Sequence, residues 1–405
     1  MKTNFQNVRG TQDLFYDLMD KYNFVVDVAK NVAKTYNFHE IITPIIEESN
    51  LFERSVGDGS DIVMKELYKF EDRGGNLLAL RPEFTAGVAR SFLNNGELNQ
   101  NLPQKLFSYG PLFRYDRPQK GRYRQLNQIN FEYIGNKEYI ADVEIICLFY
   151  KILQELGLKN ITLEINSLGS NDCKKRYENA LKEYFSNLKD KLSEDSKVRL
   201  EKNPLRILDS KEECDKILVK DAPKINEFYS DEEKDFYANI LKTLDFLNIK
   251  YFSNPLLVRG LDYYTSTVFE FTTTDLGAQS SVGGGGRYDN LIGEIGNEEV
   301  PSVGCAGGIE RLMLLIDKKI EKKYELLAIV PVSENENEYC IDLANKLRNQ
   351  GKNIELIYSG KFKKKMEKIN KCGADFAIIV GEDEIKNGKL KIKNLKTSKE
   401  EEFLI

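Results

Sequence analysis

The sequence predicts an α/β protein in two parts: a large domain over residues 1–320 built on an antiparallel sheet, with a helical insertion at 171–250, and a small α/β domain over 325–405. Three observations predict this. Runs rich in β-branched and aromatic residues, separated by turn residues, fill 40–135 and resume after 250, which is the pattern of paired strands. Residues 171–250 are charge-dense and show no strand-like alternation. From 325 onward, short apolar strands alternate with helical segments, which signals a largely parallel sheet.

Taken in order, residues 11–38 carry apolar side chains at roughly helical spacing and predict one or two helices. "EIITPIIEE" (40–48) reads as an edge strand interrupted by Pro44, which has no N–H for a ladder. "ELYKFEDRGGNLLALRPEF" predicts a hairpin turning at Asp72–Gly75, its second strand ending in Arg81-Pro82-Glu83. Residues 105–135 hold two extended stretches joined by a long basic loop. "YIADVEIICLFYKILQELGL" reads as a helix and "NITLEINSLG" as a strand. Ser230-Asp231-Glu232-Glu233 has the form of a capping box opening the last helix of the insertion. "LVRGLDYYTSTVFEF" (257–271) reads as one strand and is followed by the glycine cluster "SVGGGGRYDNLIG". "PSVGCAGGIERLMLLID" is a strand leading into a helix near Ile309. A charged linker at 319–324 precedes a β-α-β-α-β-β series: "LLAIVPV", a helix over 337–350, "NIELIYS", a helix over 361–371, "FAIIVGEDEI" and "KLKIKNL".

Bulk composition narrows the chemistry. Six scattered cysteines without C-x-x-C spacing, and a single histidine, leave no zinc site. They also leave no Ser–His or Cys–His nucleophile unless His39 serves, and its place before "EIITPI" favours a structural role. No window approaches 18 apolar residues and the N-terminal stretch has no apolar signal core, so the expectation is a cytoplasmic protein with no membrane partner. A net charge of −5 argues against a whole-chain polycation but leaves room for local phosphate contacts. "RYDRPQKGRYRQ" and "GKFKKKMEK" are two basic patches; for the second alone, a solvated face is the plainer reading.

Charge also falls where the pattern asks for strands: "RPEFTAG" (81–87), "FRYDRPQKGRYRQLNQINFEYIG" (113–135) and "LVRGLDYYTSTVFEF". Arg311 adds a fourth cluster at the start of a helix. Half-buried charge is costly unless paired or bound. One such residue is commonly a structural ion pair, whereas four clusters converging on one sheet favour a polyanion site, for which arginine's fork suits phosphate better than lysine. The glycines at 283–286 match neither G-x-G-x-x-G nor G-x-x-x-x-G-K-[ST]. A close backbone approach or a tight bend explains them equally well.

Residues 113–135 resemble motif 2 of class II aminoacyl-tRNA synthetases, "GCAGGIERLMLLI" resembles motif 3, and "FHEIITPIIEESNLFERSVGD" resembles motif 1. "LVRGLDYYTSTVFEF" is similar to the stretch that marks histidyl-tRNA synthetases among them. "VRGTQDLF", "NPLRILDSK", "GGGGRYDNLIG" and "GADFAIIVGEDE" resemble further parts of that family, so the likeness spans essentially the whole chain. It implies a class II catalytic domain, an antiparallel sheet flanked by helices, followed by an anticodon-binding α/β domain. It also implies a homodimer that activates L-histidine with ATP to histidyl-adenylate and pyrophosphate, then transfers histidine to the 3′ end of tRNA(His). Mg²⁺ would accompany ATP, with no protein-only metal site.

Carried over residue by residue, the resemblance makes Arg259 and Arg114 the catalytic contacts to the α-phosphate, and Arg311 the contact to the γ-phosphate of ATP. Glu83, Thr85 and Gln128 would hold the histidine ammonium; Glu132, Tyr264 and Tyr263 would form the imidazole pocket. Two positions depart from the family pattern: Phe84 replaces a small residue and Asn127 a common histidine, and both bear on the shape of the amino-acid pocket. Three other readings stand beside this one. They are a synthetase-like regulatory subunit of ATP phosphoribosyltransferase that binds histidine without charging tRNA, a class II synthetase for another amino acid, and a stand-alone tRNA-binding module.

Overall fold

The computed structural model describes residues 5–56, 62–277, 280–296, 298–317, 319–320 and 324–403, and the chain forms two compact units, Met1–Lys319 and Ile320–Ile405. In the first, helix α1 (Asp17–Thr35) buries Val25, Val26, Val28, Ala29, Val32 and Ala33 along one stripe. Asp17 and Asp20 favour its N-terminal dipole, and Asn37 closes it in the left-handed region at φ 61°.

The stretch 40–48 is not one interrupted strand. β1 (His39–Glu40) pairs parallel with β5 (Gln104–Phe113), whereas β2 (Ile46–Glu48) belongs to a separate three-stranded sheet with the hairpin β3 (Lys69–Glu71) and β4 (Leu77–Leu80). Pro44 marks the exit from one sheet to the other. The break is held by buried Arg81, which donates to the carbonyls of Thr43 at 2.8 Å and Pro111 at 3.0 Å. The hairpin turn is an Asx turn, Asp72 Oδ1 accepting from the N–H groups of Gly74 and Asn76. Helices α2 (Ser49–Val56), α3 (Thr85–Asn94) and α4 (Gly96–Gln100) complete this region.

The main sheet has eight strands in the order β1-β5-β6-β11-β10-β9-β7-β8. These include β6 (Gln125–Ile134), β7 (Ile161–Ser167), β8 (Tyr251–Ser253), β9 (Thr265–Thr273), β10 (Ser281–Arg287) and β11 (Ser302–Gly308). The six central strands are antiparallel and only the edge pairs β1–β5 and β7–β8 are parallel. Helix α5 (Tyr139–Glu155) covers one face so closely that a Cβ on Gly283 or Gly307 would strike the ring of Phe149. A fully buried ion pair, Arg287 with Asp142, ties that helix to β10.

The insertion comprises α6 (Asn171–Ser186), α7 (Glu194–Lys202), a 3₁₀ turn at Pro204–Ile207 and α8 (Glu213–Val219). At its centre buried Asp215 accepts from the hydroxyls of Ser193, Ser196 and Ser210, each at 2.6 Å. Helix α9 (Asp231–Phe246) opens with the capping box at Ser230, but it belongs to the sheet rather than to the insertion's helices. Tyr237 on α9 donates to the Ile165 carbonyl of β7, and Phe236 meets Tyr139 of α5 edge-on. The helix carries the chain between the parallel edge strands β7 and β8, so its apolar side faces that layer. Short α10 (Leu291–Ile295) and α11 (Ile309–Leu315) flank β11.

In the second unit, β12 (Leu326–Pro331), α12 (Asn337–Asn349), β13 (Asn353–Leu356), α13 (Phe362–Cys372), β14 (Phe376–Val380), α14 (Glu382–Asn387), β15 (Leu390–Asn394) and β16 (Glu400–Phe403) form a sheet ordered β13-β12-β14-β15-β16. β12 runs parallel to both neighbours, and β15 and β16 are antiparallel additions. "FAIIVGEDEI" breaks at Gly381, whose N–H reaches Glu384, and the acidic run beyond starts α14. Of the linker, residues 321–323 lie outside the described residues. Lys365 is no part of a basic surface: it is 2% exposed, and its ammonium donates to the Pro331 carbonyl at 2.8 Å.

Candidate active site

On the sheet face opposite α5, the strand registers lay out two rows. Glu132 stands beside Gly304, Gly304 beside Gly286 and Gly286 beside Val268; the next row is Asn130, Ala306, Gly284 and Glu270. β6 thus carries Glu132 and Asn130 and β9 carries Val268 and Glu270, while β10 and β11 between them contribute glycine and alanine. A cavity of about 430 Å³ lies over this floor. Glu83, Thr85, Arg114, Gln128, Glu132, Arg259, Tyr263, Tyr264 and Arg311 all line it. Close approach explains the glycines, and the pairing of β10 with β9 is also irregular at both ends of their run. A Cβ on Gly304 would run into the Glu132 carboxylate, one on Gly286 would lie 2.9 Å from the Tyr264 ring, and one on Gly284 would lie 3.1 Å from the Arg259 guanidinium.

One end of the cavity is built around carboxylates. Glu83 accepts from the N–H groups of Thr85 and Ala86 at the start of α3, at 2.5 and 2.8 Å. Burial raises its pKa, against those bonds and the charge of Arg114. Glu132 is 1% exposed and takes three donors: Thr85 Oγ1 at 2.5 Å, Asn130 Nδ2 at 2.8 Å and the Tyr288 hydroxyl. Burial pushes Glu132 up to about 8, the bonds from Thr85 and Tyr288 oppose this, and the charge of Glu83 adds to it. Tyr263 packs against Tyr264 at 4.7 Å and against Tyr288 at 5.7 Å between ring centres. Burial lifts all three phenols, so they remain neutral. Flat aromatic walls with two buried carboxylates suit a small cationic or N–H-bearing ligand.

The other end is built around guanidinium groups with anchoring bonds to backbone carbonyls. Arg114 Nε donates to the Pro82 carbonyl at 2.9 Å; Arg311 donates to those of Gly121 and Ser281 at 3.0 and 2.8 Å. Burial, and then the charges of Arg114 and Arg122, lower the pKa of Arg311, while Glu270 and Asp116 offset part of this. Clustered guanidinium groups of this kind favour an anion. Arg259 stands between the two ends, ion-paired with Glu270 at 2.6 Å, its Nε buried without a hydrogen-bond partner. An orphaned buried donor beside an open cavity is a place for a ligand oxygen.

The segment 257–271 is not a single strand. β9 begins at Thr265, and residues 257–264 form a turn that brings Arg259 and Tyr264 against the glycine floor. Asp262 does not pair with Arg259; its carboxylate accepts from Asn203. Asn127 faces away from Gln128 on β6, and its N–H and Nδ2 both donate to buried Glu310. Phe84 lines the cavity and lies under the Arg81 guanidinium at 4.5 Å. Sequence reasoning missed Tyr288, Asn130, Glu270 and Glu310. Strand alternation from Glu132 was signal enough for Asn130, whereas Glu270, set beside Gly284 by the pairing of β9 with β10, and Tyr288 reach the site only through the fold. Among the described residues no group of three His, Cys, Asp or Glu side chains forms a metal site, and no helix is long and apolar enough to cross a membrane.

A central antiparallel sheet whose polar strands flank a glycine floor, with arginines from a strand-loop-strand unit and from a strand-to-helix turn, defines a class II aminoacyl-tRNA synthetase. Residues 10–312 match the sequence family "Histidyl-tRNA synthetase" and residues 327–404 match "Anticodon binding domain". The chain belongs to the histidyl-tRNA synthetase family. It is 47% identical to the histidine–tRNA ligase of Wolbachia pipientis wMel over 98% of this chain and 96% of the relative. It is 45% identical to that of Rickettsia bellii over 100% and 97%. Among solved structures it is similar to apo histidyl-tRNA synthetase of S. aureus, with a TM-score of 0.81, 33% identity and coverage of 98% and 97%. A protein from Bacillus halodurans described as an ATP phosphoribosyltransferase regulatory subunit/histidyl-tRNA synthetase shares the fold, with a TM-score of 0.68 at 21% identity and coverage of 94% and 99%.

Proposed function

We propose that this chain is a ligase that activates L-histidine with ATP and transfers it to the 3′ end of tRNA(His). The observation that carries the reading is one cavity with a carboxylate end and a guanidinium end joined across a glycine floor, a polarity matched to an amino acid meeting a polyphosphate. In the first step the histidine carboxylate attacks the α-phosphorus of ATP. A P–O bond forms, the bond to the β-phosphate breaks, and pyrophosphate leaves. Arg114 and Arg259 hold the α-phosphate and neutralise charge that grows in the transition state, and Arg311 holds the γ-phosphate. Glu83, Thr85 and Gln128 hold the ammonium; Glu132 accepts from the imidazole N–H, with Tyr263 and Tyr264 around the ring. In the second step a terminal ribose hydroxyl of tRNA attacks the acyl carbon and AMP departs.

Mg²⁺ enters with ATP as part of the substrate. Asp116 and Glu270 are carboxylates at the arginine-rich end, and both line the cavity; phosphate oxygens would supply the ion's other ligands, and the ion would offset their charge. The active form is a homodimer in the cytoplasm, residues 1–320 carrying the catalytic site and 325–405 reading the tRNA. Exchange of labelled pyrophosphate into ATP tests the reading: it should require L-histidine. Equal exchange with another amino acid overturns the specificity, and histidine binding without exchange favours the regulatory-subunit reading.

A further inference from the structure

The stretch "NPLRILDSK" (203–211) lies in the insertion and carries none of the residues assigned above, yet its side chains reach the site. Asn203 Nδ2 donates to the Asp262 carboxylate at 2.8 Å, and Arg206 Nη1 donates to the Arg259 carbonyl at 3.1 Å. From α6, Lys174 Nζ donates to the carbonyls of Asp262 and Tyr264 at 2.6 and 3.2 Å. Asp209 and Lys211 stand at the cavity wall. The apolar core agrees with these contacts: Tyr177, Leu205 and Ile207 of the insertion pack in one cluster with Leu257, Tyr263 and Tyr264.

The backbone of 257–264 lies outside the sheet, so no strand ladder satisfies its carbonyls. Those of Leu257, Arg259, Asp262 and Tyr264 accept from the side chains of Asn166, Arg206 and Lys174. Only Asn166 belongs to the sheet; the other donors come from the insertion. Burial lowers the pKa of Lys174, and the charges of Glu178, Asp262 and Glu294 counter that shift and favour the ammonium.

We propose that Asn203, Arg206 and Lys174 are positioning residues that hold loop 259–264 on the glycine floor, so that the helical insertion sets where Arg259 and Tyr264 meet the substrates. The proposal rests on the reading above in which Arg259 contacts the reacting phosphate. A misplacement of about an ångström at such a contact costs on the order of 10²-fold in rate.

The test is single-turnover formation of histidyl-adenylate by Arg206→Gln and Asn203→Ala at saturating ATP and histidine, with circular dichroism to check the fold. The rate should fall roughly 10- to 100-fold, and the Kd for ATP should stay within about twofold, because Arg114 and Arg311 hang on other elements. Arg206→Lys, which keeps a donor, should recover part of the loss. In an Arg259→Ala background, Arg206→Gln should cost less than about threefold more, since it acts through Arg259. Wild-type rates in both variants, or the full loss repeated in the Arg259→Ala background, would overturn the proposal. Amide hydrogen exchange over 257–264 in the free protein decides the same question without any activity: it should rise in the variants while β10 stays unchanged, and an unchanged loop refutes the positioning role. If Arg206→Gln fails to fold, Asn203→Ala carries both readouts. A wild-type protein that makes no histidyl-adenylate sinks the functional reading instead, and amide hydrogen exchange still judges whether the insertion holds the loop.

Discussion

Replacing Glu132 with glutamine separates what this residue does for stability from what it does for binding. In the unfolded chain its carboxyl ionises near the ordinary value of 4.5, and in the folded protein burial holds the proton to about 8. The native state therefore binds more protons than the unfolded state between these values. The associated stability is complete below pH 4.5 and is lost as pH rises through about 8. The shift corresponds to at most about 5 kcal/mol, and relaxation around the ionised group leaves a few. Glutamine cannot ionise, and its amide still serves Thr85 and Asn130 through its oxygen, while the Tyr288 hydroxyl can turn to accept from its NH₂. Glu132→Gln should thus melt several degrees above wild type at pH 8.5 and within about a degree of it at pH 4.5. Binding should move the other way. Bound histidine, with its ammonium and imidazole N–H, favours the ionised Glu132, and an amide N–H in its place loses a charge-assisted bond of roughly 1.5–3 kcal/mol, which raises the histidine KM about 10- to 100-fold. Differential scanning fluorimetry against pH and histidine-dependent pyrophosphate exchange read the two effects. An unchanged KM would move the imidazole partner elsewhere, and a lower melting temperature at pH 8.5 would show that the network needs the carboxylate more than burial penalises it.

Three further outcomes follow from surface and core. Lys363 and Lys364 are exposed on α13 whereas Lys365 is buried. Alanine at the first two should therefore weaken tRNA binding, measured by filter binding, and flatten its salt dependence by about one to two ions without touching pyrophosphate exchange, whereas Lys365→Ala should lower the melting temperature of the C-terminal unit and leave its salt slope alone. Ile42 and Ile46 around Pro44 are 87% and 47% exposed in the single chain, and a second copy should cover them; light scattering that returns one chain mass, 46.6 kDa, would refute the dimer.

Much of the local structure was legible because it depends on neighbours in sequence. The amphipathic stripe of α1, the Asx turn at Asp72, the capping box at Ser230 and the alternating elements after 325 each rest on chemistry within a few residues. The residue types of the site were legible for a related reason: arginines and carboxylates placed where strands should be have to be paired or bound, wherever their partners lie.

What only tertiary structure decided is who those partners are. Nothing local tells that "EIITPIIEE" divides between two sheets, because the division is held by Arg81 from the next hairpin. "LVRGLDYY" reads as strand from its side chains, yet its carbonyls are satisfied by Arg206 and Lys174, distant in sequence, and the backbone follows those donors. Lys365 looks like one charge of a basic run until α13 docks on its sheet and turns that position inward to the Pro331 carbonyl. Arg259 meets Glu270 and not the nearby Asp262, because the turn lays its guanidinium against β9 and β10. Sequence alone determined which residues need a partner, since desolvation acts on each side chain by its type; the choice among partners is a matter of distance, and only the packed chain sets distances.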